Sequence, residues 1–229
     1  MKARSCLSVR SPAGFTLVEL LTVIAIIGVL VAITIPVVGA IRRKANTSKA
    51  TSNIRHLVIA NLAYASEHKG KVPPRYKQGS DPTWQVAVAP YLSTLLPTDQ
   101  IEIARLRRDP DTIFNVPDSK PYSERAAGAT SIARNWLLPS SEWNYQMNVV
   151  AAPARTILLG ECEEKNYDEV SGLKADMITA AGSATALPGF RRDNETKALM
   201  GYCDGHVEAL TRTQLLATGT VAEGNLWRW

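Results

Sequence analysis

No charged side chain occurs between Leu20 and Ile41. About 22 residues at 1.5 Å of helical rise each span about 33 Å, the thickness of a bilayer's hydrocarbon core. So long an uncharged run excludes an ordinary secretory signal, whose apolar region is about 7–15 residues, although Val38-Gly39-Ala40 would pass as a weak cleavage site after it. The catalytic signatures are missing too. There is no zincin His-Glu motif, no Gly-x-Ser-x-Gly, no phosphate-binding glycine loop and no Cys-x-x-Cys, so none of these catalytic motifs marks an active site. No internal repeat is visible. Cysteine is scarce: Cys6 lies in the first fourteen residues, leaving only Cys162 and Cys203. In an exported domain these two would be free to pair, which spacing alone does not decide. The net charge of +5 suggests a polyanionic partner, but Lys2, Arg4 and Arg10 supply three of those charges, with no acid among residues 1–14, and leave +2. The densest basic group in the remainder, Arg105, Arg107 and Arg108, has no aromatic platform beside it. No nucleic-acid partner is expected.

The residue that stands out is Glu19. A carboxylate in a spanning helix costs on the order of 2.5–3.5 kcal/mol at the centre and less near an interface, so such an acid normally has a partner. None is expected within this helix. One reading places Glu19 in the headgroup region beside the arginines of the leader. A plain single-pass anchor accounts for the length of the run but leaves Glu19 and the Gly14-Phe15 junction unexplained.

Gly14-Phe15-Thr16-Leu17-Val18-Glu19-Leu20-Leu21, preceded by a basic leader and continued through Gly28 and Pro36, resembles the processing site of type IV pilins and type II secretion pseudopilins. The resemblance implies cleavage between Gly14 and Phe15 by a prepilin peptidase on the cytoplasmic face, with N-methylation of Phe15. It implies that Glu19 meets the cationic N-terminus of a neighbouring subunit, which supplies the missing partner. It also implies bacterial inner-membrane residence with the N-terminus cytoplasmic and the rest exported. Further partners would be like or related subunits, an assembly platform and a separate ATPase.

Helical periodicity continues beyond the span. Ile54, Leu57, Val58, Leu62 and Ala65 share one face, with Arg55, Asn61 and Glu67 off it. Lys69-Gly70 forms a stop and Pro73-Pro74 prevents resumption. One helix from Phe15 to Lys69 is predicted, kinked at Pro36 because a prolyl nitrogen cannot donate. A short helix over Trp84–Leu96 interrupted at Pro90, and a turn of helix over Ile101–Leu106, come next. Turn signals make Asp109–Gly128 a surface loop with one short extended piece around Ile113-Phe114. Strands are predicted over Trp143–Val150, Thr156–Glu161 and Ala198–Leu210, without interposed helices, which implies an antiparallel sheet. Leu226–Trp229 would seal the sheet or lie at a subunit contact. The expected fold is α+β: a leader over 1–14, a transmembrane or filament-core helix over 15–41, its amphipathic continuation over 42–70, and a globular head over 71–229.

The second half carries another resemblance. Asp204-Gly205-His206-Val207 is similar to the ending of a prepilin-associated domain in which a His stands ten positions before the Asp; here that position is Asn194. Lys71-Val72-Pro73-Pro74, Pro90-Tyr91-Leu92 and the strand over 156–161 also resemble that family.

Chemistry in the head has bland competitors. Asp204 and His206, with Glu161 on an adjacent strand, would suit an acid–base pair or a metal site. Asp-Gly is also the commonest hairpin signal, and the turn is the preferred reading. Cys203 has no orienting base. The acids Glu161, Glu163, Glu164, Asp168 and Glu169 would suit calcium, as in the C-terminal loop of some secretion pseudopilins, but match no EF-hand spacing; a solvated acidic loop is preferred. The function expected is that of a pilin-like structural subunit, not an enzyme and without a cofactor. The alternatives are a membrane-anchored binding or sensor protein that never polymerises and an anchored hydrolase using Asp204 and His206.

Overall fold

The computed structural model describes residues 15–73, 84–94, 96–97, 99–106, 109, 111–119, 130–135, 147–163, 172–173 and 189–217. The chain divides into two compact units, residues up to Lys44 and residues from Ala45 onward. A single helix, α1 (Leu17–Glu67), runs through both, with Pro36 inside it. Pro36 leaves the carbonyl of Ala32 without its usual donor. The helix ends as the sequence predicts. Lys69 (φ 57) and Gly70 (φ 80) turn left-handed, and the Gly70 N–H closes on the Ala65 carbonyl at 2.7 Å.

In the second unit, α1 buries Ala50, Ile54, Leu57, Val58, Ala60, Asn61 and Ala65. Asn61 departs from expectation. It is enclosed, and its amide donates to the Leu57 carbonyl at 2.7 Å, one turn back. Against this face pack α2 (Trp84–Leu92) and α3 (Gln100–Leu106). Pro90 falls in the last turn of α2, which stops at Leu92 rather than Leu96. The segment over 111–119 is turns with no extended piece, and it is no mere surface loop. Phe114 and Val116 are buried, and Phe114 meets Trp84 edge-on with ring centroids 6.4 Å apart. Asn115 fixes the segment by accepting at Oδ1 from the Ser131 N–H (3.1 Å) and hydroxyl (3.2 Å), while its carbonyl accepts from Asn53 of α1 (2.9 Å).

The sheet has the order β3-β1-β2-β4-β5. Its strands are β1 (Ile132–Asn135), β2 (Ile157–Glu161), β3 (Gly172–Leu173), β4 (Lys197–Tyr202) and β5 (Val207–Thr211). Four of them, β1-β2-β4-β5, are antiparallel, and the two-residue β3 adds a parallel edge to β1. The architecture is thus a long N-terminal helix with a small antiparallel sheet, the α+β pilin-like layout. Three details differ from expectation. β1 is new, and α4 (Arg212–Ala217) follows β5 directly and buries Leu215. Of the strand expected over Trp143–Val150, Met147–Val149 is a 3₁₀ turn and residues 143–146 lie outside the described residues. The leader and Leu226–Trp229 lie outside them too.

Every residue of β2 is buried, because the sheet is covered on both faces. A bulge between Ile157 and Leu159 puts Leu158 and Leu159 into the cluster shared with α1, while Ile157 belongs to the opposite cluster with Ala198, Met200 and Leu215. The closest approach of helix to sheet is at Gly201 of β4. A Cβ there would lie 2.5 Å from Val58 Cγ2 and 2.9 Å from Ile54 Cγ2. Both neighbours are β-branched and stiff at χ1, so they cannot swing away cheaply. Gly201→Ala should therefore destabilise the protein by about 1–3 kcal/mol, read as a lowered thermal midpoint of the detergent-extracted chain. An unchanged midpoint would show that the helix is not seated on β4 as described.

Candidate processing and assembly site

The start of α1 is built by its own first residues. Thr16 stands just before the helix and Glu19 three residues later, the Thr-x-x-Glu spacing of a capping box. The Thr16 N–H donates to Glu19 Oε2 at 2.9 Å and the Thr16 hydroxyl to the same oxygen at 2.8 Å. In return the Glu19 N–H donates to the Thr16 hydroxyl at 3.3 Å. This corrects the expectation that Glu19 finds no partner within its own helix. The carboxylate is satisfied locally by two donors and lies at the positive end of the helix dipole. The cap leaves Glu19 exposed to solvent, so the carboxylate remains accessible to a cation from another chain. Phe15, one residue ahead, is 73 % exposed. Gly14 lies outside the described residues.

Beyond the cap the helix presents apolar side chains all round. Leu17, Leu20, Ile24, Ile27, Leu30 and Ile33 are all exposed, and so are the large apolar residues between them. The helix is long and apolar enough to cross a membrane. Water is a poor environment for such a surface, and lipid or other helices are the surroundings that suit it.

The comparisons with known proteins meet this element. A family model described as the prokaryotic N-terminal methylation motif matches residues 10–35. No curated protein and no solved structure matches. The chain carries a prepilin-type methylation motif on an apolar helix suited to membrane anchoring, and it is pilin-like in that motif and in its layout.

The candidate residues of the head do not form one site. Asp204 and His206 lie in the hairpin turn between β4 and β5, as the Asp-Gly signal predicts. Gly205 takes φ 104, the Tyr202 N–H bonds the His206 carbonyl at 2.9 Å, and the His206 N–H bonds Asp204 Oδ1 at 3.1 Å. The His206 ring lies 2.6 Å from the same oxygen through Nδ1 and stacks on Tyr202 with centroids 4.0 Å apart. Burial pushes the Asp204 carboxyl up, but the N–H, ring and charge of His206 outweigh it and hold the group below its ordinary value. Glu161 sits elsewhere. Its Oε2 accepts from the Leu199 N–H at 2.9 Å, three residues along β4 from Tyr202 and so roughly 10 Å short of the turn that holds Asp204. Among the described residues no three His, Cys, Asp or Glu side chains gather as a metal site would require. Glu164, Asp168 and Glu169 lie outside the described residues.

Cys162 and Cys203 are both buried and are not joined by a disulfide, which answers the question that spacing left open. The Cys203 N–H bonds the Thr156 carbonyl, whereas Cys162 follows the far end of β2. Six residues of strand separate those two points by roughly 20 Å, and a disulfide tolerates a Cα separation of less than about 7 Å. Burial pushes the Cys203 thiol up to about 12, so it is no nucleophile at neutral pH.

The structure also places a group that sequence reading missed. Glu161, fully buried, is no member of a solvated loop. Arg192 donates to Glu161 Oε1 through Nε at 2.9 Å and again through Nη2, and forks onto Asp118 at 2.8 and 2.9 Å. Burial pushes the Glu161 carboxyl up against the opposing pull of Arg192. Asp193, Asn194 and Glu195, which follow Arg192, all have left-handed φ angles of 51, 56 and 65. Such backbone is costly outside glycine and is held here by an Asp193–Lys197 ion pair at 2.9 Å and by Thr196 donating to the Asp193 carbonyl at 2.7 Å. The triad joins the end of β2 to the turns over 111–119. Removing one partner of a buried pair strands the other charge. Arg192→Met should therefore cost about 3–5 kcal/mol, and Glu161→Gln, which keeps hydrogen-bonding atoms, distinctly less. Chemical unfolding of both variants checks the order, and equal losses would mean that the pairing does not set it.

Proposed function

We propose that this chain is the precursor of a pilin-like structural subunit. A prepilin peptidase would cut it between Gly14 and Phe15 and methylate the new Phe15 amine, and the product would polymerise with like or related subunits into a type IV pilus or a type II secretion pseudopilus. The observation that carries this is the methylation motif matched over residues 10–35. A peptidase acting at the cytoplasmic face places the N-terminus there and residues beyond the span outside, in a bacterial inner membrane. An assembly platform and an ATPase supplied by other proteins complete the requirement. The second half is read as a prepilin-associated domain in which Asn194 replaces His. Asn194 and Asp204 flank β4 at its two ends, so the replacement takes nothing from the Asp204–His206 pair. The reading needs no catalytic residue and no cofactor.

In the filament, neighbouring helices take the place of lipid around α1, where van der Waals packing and polar contacts drive association. Glu19 then pairs with the cationic Phe15 amine of the next subunit, using the face that its cap leaves open.

The decisive measurement is the mass and N-terminus of the protein recovered from its native membrane. A chain beginning at N-methyl-Phe15 is expected; a start at Met1 or Ile41 would refute processing. Glu19 has two roles that substitution separates. Gln at position 19 preserves the capping box but not the charge. Glu19→Gln and Glu19→Ala should both be processed and inserted yet excluded from filaments. Incorporation of the Gln variant at normal levels would reduce Glu19 to a helix cap.

A further inference from the structure

The apolar run stops at Ile41 and is followed at once by Arg42, Arg43 and Lys44, all exposed. Consecutive helical residues stand about 100° apart, so the three cover about 200° of the helix circumference. No carboxylate occurs from Arg42 through Ser66. The next cation, Lys49, is committed to Asp111 at 3.6 Å. The guanidinium of Arg43 folds back along the helix, its Nη1 3.8 Å from where a Gly39 Cβ would stand, one turn nearer the apolar run.

Length locates the group. Arg42 to Lys44 lie about 1.5–4.5 Å beyond Ile41 along the axis, while the headgroup layer on each side of a bilayer is about 5–7 Å thick. Three cations at that depth meet phosphates rather than bulk water. Long cationic side chains also bury their stems along apolar surface while their heads stay at the interface.

We propose that Arg42, Arg43 and Lys44 form a collar that docks on the headgroups of anionic phospholipids in the leaflet where the span ends. The proposal rests on the reading that residues 15–41 cross a membrane. Charge complementarity and direct continuity with the apolar run favour lipid as the occupant. The collar gains weight on processing. Cleavage after Gly14 removes Lys2, Arg4 and Arg10 from the opposite flank and leaves there only the Phe15 amine and Glu19. The collar is then the main electrostatic tether holding the mature helix at a fixed depth, and leaving the bilayer for a filament requires its release.

The test uses the full chain in phosphatidylcholine vesicles containing a trace of spin-labelled phosphatidylglycerol or spin-labelled phosphatidylcholine. Wild type should restrict the motion of phosphatidylglycerol in about fivefold preference. That preference should fall to what Lys2, Arg4 and Arg10 of the leader sustain in the Arg42→Gln, Arg43→Gln, Lys44→Gln variant and shrink at high salt. Equal restriction of the two lipids by wild type, or a preference undiminished in the triple variant, would overturn the collar. Equal restriction together with loss of filament incorporation in the variant would assign the three cations to carboxylates of a neighbouring subunit instead. Restriction of neither lipid would mean that the helix is not in the bilayer, and the spanning reading would fall with the collar.

Discussion

A carboxylate at the head of an uncharged helix must be given donors before the helix can enter an apolar environment. Glu19 obtains them from the residue that begins the helix. Because the Thr16 N–H and hydroxyl both converge on one oxygen, the negative charge is already partly neutralised in the isolated chain. The capping box also satisfies a helix-terminal N–H that would otherwise be exposed to lipid, where an unsatisfied backbone donor is expensive. The single charge in the apolar element is therefore compatible with membrane residence, and it is accessible enough to pair again.

The head depends on a different constraint, the close seating of the second half of α1 on β4. Gly201 is the point of contact, and the two β-branched residues above it leave no space for a side chain. The rest of the head is tied around that contact by polar hubs. Asn115 joins the turns over 111–119 to α1 and β1, and Arg192 joins the same turns to β2 through Asp118 and Glu161. Hydrophobic burial sets which faces meet, and these hubs set how the irregular segments sit on them.

Much of this was legible in the sequence because it depends on local pattern. The uncharged run, the amphipathic stripe, the Lys69-Gly70 stop and the Asp-Gly hairpin are all readable within a few residues, and each stands where predicted. What failed depended on partners distant in sequence. β1 is four residues long and includes Arg134 and Asn135, so it has no apolar alternation to find. Glu161 read as part of an acidic loop because its partner lies 31 residues away, and Asn61 looked like a surface residue for want of a local sign of burial. The Thr16–Glu19 cap is different. Its Thr-x-x-Glu spacing is local and present in the sequence, but the same carboxylate also reads as a charge in an apolar run, which points away from a cap.

Local and distant interactions thus divide the chain's work. Everything a prepilin peptidase would need to recognise lies in a short contiguous stretch, and so does the cap that readies Glu19. The head, by contrast, is held by contacts of long sequence separation among α1, the turns and the sheet. A substitution among residues 10–35 can therefore leave the head intact and still change what happens to the helix. Among the described residues the two units differ in the same sense: residues 15–44 expose their apolar side chains, and most of the apolar side chains from Ala45 onward are buried. Exposed apolar surface of that extent in a chain with a well-packed head is a requirement for surroundings the head does not provide. Lipid would meet it, and in the proposed filament the helices of other subunits would take lipid's place.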